Sequence, residues 1–129
     1  MTEPRFLTLD DILYIHEREI ATAGGAPGIR DRGGIESALG AVQATYNGEF
    51  LQDIYGMAAT YLNSIVNNHP FMDGNKRTGL ASALTFLLLN GIEITERREE
   101  ELADLVLQLT ENVISKEAAA AFFKERASQ

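Results

Sequence analysis

The chain has 129 residues, of which 45% are hydrophobic and 23% charged, a balance typical of one soluble globular domain that can bury a core. It contains no cysteine, which excludes a disulfide framework, a thiol nucleophile and a cysteine-based zinc site. A net charge of −8 disfavours direct nucleic-acid binding, and the longest apolar stretch, residues 80–89, is too short to cross a bilayer. With no signal-peptide pattern, we expect residues 1–129 to form a single cytoplasmic domain without a membrane partner.

The first half of the chain predicts three helices. One face of the first helix carries Leu9, Ile12, Leu13, His16 and Ile20. Thr8 with Asp11 resembles a capping pair at its start, and Gly24–Gly25 marks its end. The glycine-rich stretch 24–34 is typical of a loop, a second helix is expected over 35–44, and a third over 51–68. The third helix ends at His69–Pro70, because a residue before proline is pushed out of the helical region.

The second half of the chain predicts three more helices. The fourth begins near Asn75 or Lys76 and ends at Asn90–Gly91; it is so apolar that we expect it to be the buried central helix. Residues 92–94 favour a very short extended piece. A fifth helix carries an apolar stripe from Leu102 to Leu109, after a charged run at 97–101 that is typical of a solvated helix start. A sixth begins near Ser115. The predicted fold is therefore all-α, with six helices and essentially no sheet.

The segment between the third and fourth helices combines residue types that carry chemistry: His69-Pro-Phe-Met-Asp-Gly-Asn-Lys-Arg77. The start of a helix presents unpaired backbone N–H groups and a partial positive charge, which together bind anions. Gly74 can adopt positive φ, which lets consecutive N–H groups converge, and Arg77 can hold phosphate oxygens in a fork. Cations are disfavoured in the first turn of a helix, so a bound anion explains Lys76 and Arg77 better than a solvated pair does.

The remaining residues of the segment suit group transfer from a nucleotide. Asp73 can hold Mg²⁺, which takes oxygen ligands and shares substrate phosphates, and His69 can act as a general base. Phe71 is expected to point inward and pin the segment to the core. Taken singly, each residue also fits an ordinary helix end or turn; together they indicate a phosphoryl- or nucleotidyl-transfer site.

The segment resembles the signature of Fic domains, and specifically of their Doc (death-on-curing) branch. Residues 24–28, Tyr61–Leu62 and the short chain are also similar to Doc, so the resemblance covers nearly the whole chain. It implies a Fic-type helical bundle that binds ATP and Mg²⁺. His69 would be the catalytic base and Asp73 the metal ligand. Gly74 and Asn75 would help form an anion-binding nest, and Lys76 and Arg77 would bind phosphate and take part in catalysis.

Lys76 separates two activities within this resemblance. Most Fic enzymes carry glycine there and transfer AMP, whereas the Doc branch carries lysine and resembles a kinase of translation elongation factor Tu. Pro70 and Gly74 are more similar to Fic than to Doc, so AMP transfer stays an alternative to γ-phosphate transfer, as does an inactive Fic-fold regulatory module. The resemblance also implies a toxin controlled in trans by a small antitoxin whose tail folds on binding.

Two further features are interpreted without a functional role. His16 lies on the apolar face of the first helix and is expected to be a satisfied core histidine. Thr45 to Glu49 matches five positions of the self-inhibitory helix motif of many Fic proteins, but Phe50 breaks the pattern, and we interpret the match as chance.

Overall fold

The computed structural model describes residues 3–95 and 99–128, which form six helices and four two-residue strands. The helices are α1 (Leu9–Ala23), α2 (Arg32–Val42), α3 (Ile54–Asn68), α4 (Asn75–Leu89), α5 (Glu99–Thr110) and α6 (Lys116–Glu125). The strands are β1 (Thr45–Tyr46), β2 (Glu49–Phe50), β3 (Glu93–Ile94) and β4 (Ala127–Ser128), paired antiparallel as β1–β2 and β3–β4. The predicted all-α class with six helices is confirmed; Arg97 and Arg98 of the charged run lie outside the described residues.

Side-chain caps explain where four of the helices begin. Thr8 caps α1 and, with Asp11, completes the predicted reciprocal capping box. The corresponding capping residues of α2, α3 and α6 are Asp31, Asp53 and Ser115. Each of these side chains accepts a hydrogen bond from the backbone N–H of the residue three positions later. The Asp31 cap starts α2 three residues before the predicted position, and the Asp53 cap starts α3 three residues after it.

Helix α3 lies at the centre of the bundle. Eight of its residues are buried, and it packs against α2, α4, α5 and α6. The prediction that α4 is the central helix is wrong: its outer face is open enough to leave Leu88 61% exposed. Hydrophobicity alone predicted the wrong central helix, because α4 is apolar on several faces and the fold buries only some of them.

The chain between α2 and α3 forms an unpredicted hairpin. Asn47 and Gly48 both have positive φ, 52° and 81°, as the tight turn between β1 and β2 requires. Residues 45–49 are therefore not a helix, which agrees with the interpretation of their partial motif match as chance.

Close packing of α3 on α4 fixes both ends of the segment between them. A Cβ atom at Gly79 of α4 would lie 3.1 Å from Val66 Cγ2 and 3.2 Å from the Leu62 carbonyl oxygen of α3. The two helices thus approach closely where α3 ends and α4 begins. Among the residues that the structure describes, no helix has both the length and the apolar character needed to span a bilayer.

Candidate active site

His69 ends α3 with its side chain in solvent. Its backbone is left-handed, with φ 48° and ψ 54°, and its carbonyl oxygen accepts a hydrogen bond from Arg30 Nε at 3.0 Å. The next carbonyl, that of buried Pro70, accepts from the N–H groups of Arg30 (2.7 Å) and Asp31 (2.9 Å). The loop before α2 therefore holds this corner of the chain, while the imidazole stays exposed to solvent.

Phe71 and Asn75 close the base of the segment. Phe71 is 1% exposed, which confirms that it is a core anchor. The Asn75 side chain bonds to the Phe71 backbone twice: Oδ1 accepts from its N–H at 2.9 Å, and Nδ2 donates to its carbonyl at 3.0 Å. The side chain of Asn75 is thus used within the loop, and its contribution to the predicted nest is left to its backbone.

His16 of α1 contacts the segment from the core side. It is buried, as predicted, with 6% of its surface exposed. Its ring stacks on Phe71, with centroids 3.8 Å apart and planes 5° from parallel, and its Nε2 lies 2.8 Å from the Asp73 carbonyl oxygen. Sequence reasoning missed these contacts, because no spacing or motif relates position 16 to position 73.

Asp73 presents an exposed carboxylate whose charge is stabilised by the backbone. Its Oδ2 accepts from the Ala26 N–H at 3.1 Å, and its Oδ1 accepts from the Gly74 N–H at 2.8 Å. These two bonds, with smaller contributions from the Arg77 and His16 charges, hold the pKa of the Asp73 carboxyl below its usual value. The group therefore stays ionised and able to bind a cation.

The glycine-rich loop after α1 closes over Asp73. Gly25 has φ 120°, and a Cβ atom there would lie 2.7 Å from Asp73 Oδ2 and 3.2 Å from the Arg77 guanidinium. Arg77 also donates from its guanidinium to the Gly24 carbonyl at 2.8 Å. The backbone of residues 24–26 thus reaches both the predicted metal ligand and the predicted phosphate ligand, and the absence of a side chain at Gly25 allows it.

The start of α4 has the features of an anion cradle. Its N-cap is Gly74, with φ 77°, and glycine offers no side chain to cap the first N–H groups of the helix. Lys76 is exposed and Arg77 is half-buried in that first turn. The structure therefore brings Asp73, Gly74, Lys76 and Arg77 to one helix end, with His69 at the end of the helix before it.

A groove of about 850 Å³ lies beside this helix end. Lys76 and Arg77 line one part of it, and the rest is formed mainly by apolar residues at the end of α1 and along α4 and α5. These apolar residues are Ala23, Leu80, Leu84, Leu102, Ala103, Val106 and Leu107.

Comparison of the amino-acid sequence with known proteins identifies a family. The model of the Fic/DOC family matches residues 6–87, which include α1 to α3, the segment 69–77 and most of α4. The chain belongs to the Fic/DOC family. It is 37% identical over 116 residues to "Protein kinase doc" of Escherichia phage P1, a match that covers 90% of each chain. It is also 37% identical over 87 residues to "Toxin Doc" of Mycolicibacterium smegmatis (strain ATCC 700084 / mc(2)155), covering 63% of this chain and 67% of the relative.

The donor set of this Fic/DOC chain fits Mg²⁺ bound together with a nucleotide. Within the described residues, no group of three His, Cys, Asp or Glu side chains could hold a metal ion by itself. Mg²⁺ is commonly held by one or two carboxylates plus substrate phosphates and waters. The single exposed carboxylate of Asp73, next to the cradle at the start of α4, meets that requirement.

Proposed function

We propose that this chain is a Doc-like toxin that transfers the γ-phosphate of ATP to a Ser or Thr hydroxyl of a target protein. One observation carries the proposal: the exposed imidazole of His69 and the ionised carboxylate of Asp73 flank a glycine-capped helix start that bears Lys76 and Arg77. Two relatives of the chain carry the names of a protein kinase and a toxin.

The proposed transfer uses side chains and backbone groups of the segment 69–77. His69 accepts the proton of the target hydroxyl on a ring nitrogen, and the hydroxyl oxygen attacks the γ-phosphorus. The bond from that phosphorus to the β–γ bridging oxygen breaks, and ADP leaves. Arg77, Lys76 and the N–H groups at the start of α4 hold the phosphate oxygens and stabilise their charge. Mg²⁺, held by Asp73, would neutralise further phosphate charge.

Transfer of AMP is the alternative. Lys76 stands where most Fic enzymes carry glycine, and its side chain would occupy space that glycine leaves open to the phosphates. We infer that the nucleotide therefore presents its γ-phosphate to the hydroxyl. Incubation with a cell extract and either γ-labelled or α-labelled ATP distinguishes the two reactions. Label transferred only from the γ position supports the kinase, and label transferred only from the α position overturns it.

Growth arrest tests catalysis against an inactive binding module. Expression in a bacterium is expected to stop growth, and His69→Ala is expected to restore it at an equal protein level, because the exposed imidazole is the base. Equal arrest by both versions would point to binding rather than catalysis. Elongation factor Tu is the first candidate for the target, and its phosphorylation is read by mass spectrometry of the arrested cells.

The groove beside Lys76 and Arg77 suits the antitoxin. Its mostly apolar lining along α4 and α5 fits the apolar face of an amphipathic helix. Its charged residues are Lys76, Arg77 and Glu99, so the lining is net positive and fits an acidic residue of that helix. Leu107 is 45% exposed in this groove, so Leu107→Glu should abolish neutralisation by the antitoxin while growth arrest persists. Leu88→Glu, on an exposed position that does not line the groove, is the matched control and should leave neutralisation intact.

A further inference from the structure

His16 is a buried polar side chain to which the proposed reaction assigns no task. Its Nε2 lies 2.8 Å from the Asp73 carbonyl oxygen. A carbonyl oxygen can only accept a hydrogen bond, so Nε2 carries the hydrogen and donates it. The buried His16 ring on α1 thus donates a hydrogen bond to the backbone of Asp73, 57 residues further along the chain.

Among the described residues, the His16 bond is the hydrogen bond that reaches the main chain of Asp73, whereas neighbouring Met72 donates from its N–H to the Gly28 carbonyl at 3.0 Å. Phe71 is already fixed by its burial and by two bonds to Asn75. Asp73 is exposed and lies between Met72, which is 59% exposed, and Gly74, whose backbone is left-handed. The His16 bond anchors the main chain of Asp73, and the carboxylate extends from that anchor to the N–H groups of Ala26 and Gly74.

A purely space-filling role does not account for His16. An apolar ring at this position would stack on Phe71 equally well and would avoid the cost of burying polar nitrogens. The stacking sets the plane of the ring, with 5° between the two planes. The rigid helix α1 sets its position, so the donor meets the Asp73 carbonyl in one geometry.

We propose that His16 is a positioning residue that fixes Asp73 for binding of the Mg²⁺–nucleotide. The inference rests on the proposed function, because it takes Asp73 as the metal ligand. Removing a group that hydrogen-bonds to a metal ligand and orients it typically lowers metal affinity or activity 10–100-fold. We therefore expect loss of the His16 donor to weaken metal–nucleotide binding by roughly 10-fold.

Three substitutions of His16 distinguish the effect of its hydrogen-bond donor from the effect of its stacking ring. His16→Gln places an amide N–H near the position of Nε2 and keeps the donor. His16→Asn is one methylene shorter and does not reach the Asp73 carbonyl. His16→Phe keeps the stacking ring and removes the donor. Asp73→Asn serves as the control for the metal ligand itself.

Binding of Mg²⁺ with a non-hydrolysable ATP analogue is measured by calorimetry on the whole chain, with the amide signal of Gly74 followed by NMR. His16→Asn and His16→Phe should weaken binding about tenfold and shift the Gly74 signal before ligand is added, whereas His16→Gln should bind nearly as the parent does. Circular dichroism verifies folding, and either donor-less variant suffices if the other unfolds.

The controls distinguish two failures. If Asp73→Asn weakens binding and the donor-less variants do not, His16 is only a core residue and the proposed function stands. If Asp73→Asn leaves binding unchanged, the metal assignment fails and the inference about His16 fails with it. Equal weakening by Gln, Asn and Phe at position 16 would also overturn the inference, because the effect would not follow the donor.

Discussion

At the scale of single residues, polar side chains stabilise the segment 69–77 by bonding to its backbone. Arg30 donates to the His69 carbonyl, Asn75 bonds to both backbone groups of Phe71, and His16 bonds to the Asp73 carbonyl. None of these bonds uses the imidazole of His69. The backbone is therefore fixed while the groups proposed to react stay accessible.

Gly25 tests how closely the loop after α1 must approach Asp73. Gly25→Ala places a Cβ atom 2.7 Å from Asp73 Oδ2, so the loop or the carboxylate must move. We expect an increase of several-fold in the KM for Mg²⁺–ATP in a steady-state phosphorylation assay. Gly24→Ala is the control, because Gly24 also has positive φ, 84°, but a Cβ there meets nothing within 4 Å. An equal effect of both substitutions would indicate backbone strain rather than contact with Asp73.

Tyr61 gives a prediction for alkaline pH. Burial raises the pKa of Tyr61 from 10.0 to about 12, and its hydroxyl oxygen accepts a bond from the Leu7 N–H at 3.0 Å. Between pH 10 and 12 the unfolded chain loses this proton while the folded chain keeps it, so the stabilisation present below pH 10 is lost as pH rises. Two pKa units correspond to about 2–3 kcal/mol.

The measurement is the free energy of unfolding of the parent chain and of Tyr61→Phe, determined by urea titration at several pH values. The parent should lose more stability than the variant between pH 9 and 12, because other groups titrate alike in both. Parallel curves for the two proteins would contradict the raised pKa of Tyr61.

At the scale of elements, helix starts were predictable where a capping side chain directs them. Thr8 and Ser115 marked α1 and α6 correctly, since a hydroxyl followed by an apolar stripe is a local signal. The start of α2 was missed because Gly33 and Gly34 favour a loop, and the Asp31 cap outweighs that preference. The hairpin at 45–50 was also missed, although its Asn47–Gly48 pair is a strong local turn signal.

Contacts between elements were not predictable in the same way. The sequence predicted a chemically plausible segment at 69–77, and the structure places those residues at one helix junction. The supports of that segment come from α1 and the loop after it: His16, Gly25, Ala26 and Arg30. Tertiary packing brings them there, and no periodicity encodes it. The same limit explains why α4 rather than α3 was taken as central.

The α3–α4 contact can be tested with a matched pair of glycines. A Cβ at Gly79 would press on α3, at 3.2 Å from the Leu62 carbonyl oxygen, whereas a Cβ at Gly40 of α2 meets nothing within 4 Å. Gly40→Ala should raise the free energy of unfolding by about 0.5–1 kcal/mol through helix propensity. Gly79→Ala should lower that free energy, because overpacking typically costs about 1–3 kcal/mol. Chemical denaturation measures both, and a stabilising Gly79→Ala would contradict the close helix contact.

At the scale of the whole molecule, a single core joins all six helices. Residues from every helix belong to one buried cluster, which also includes Leu7 before α1 and Ile94 of β3. Residues 126–128 are tied to this body as well. β4 pairs with β3, and Arg126 lies over the Phe122 ring and bonds to Glu101 of α5 at 2.9 Å.

One shared core implies one cooperative unfolding transition, and Phe123 tests it. Phe123 is fully buried on α6, which packs mainly against α3, whereas α1 packs against α2 and α4. Phe123→Ala should lower the free energy of unfolding by about 3–5 kcal/mol. If the chain unfolds as one cooperative domain, the free energy of opening α1 falls by the same amount, because α1 cannot stay folded when the shared core opens. Hydrogen exchange of the slowest amides in α1, α3 and α6 should therefore show equal losses of protection, whereas unchanged protection in α1 would mean that the N-terminal helices fold as a separate unit.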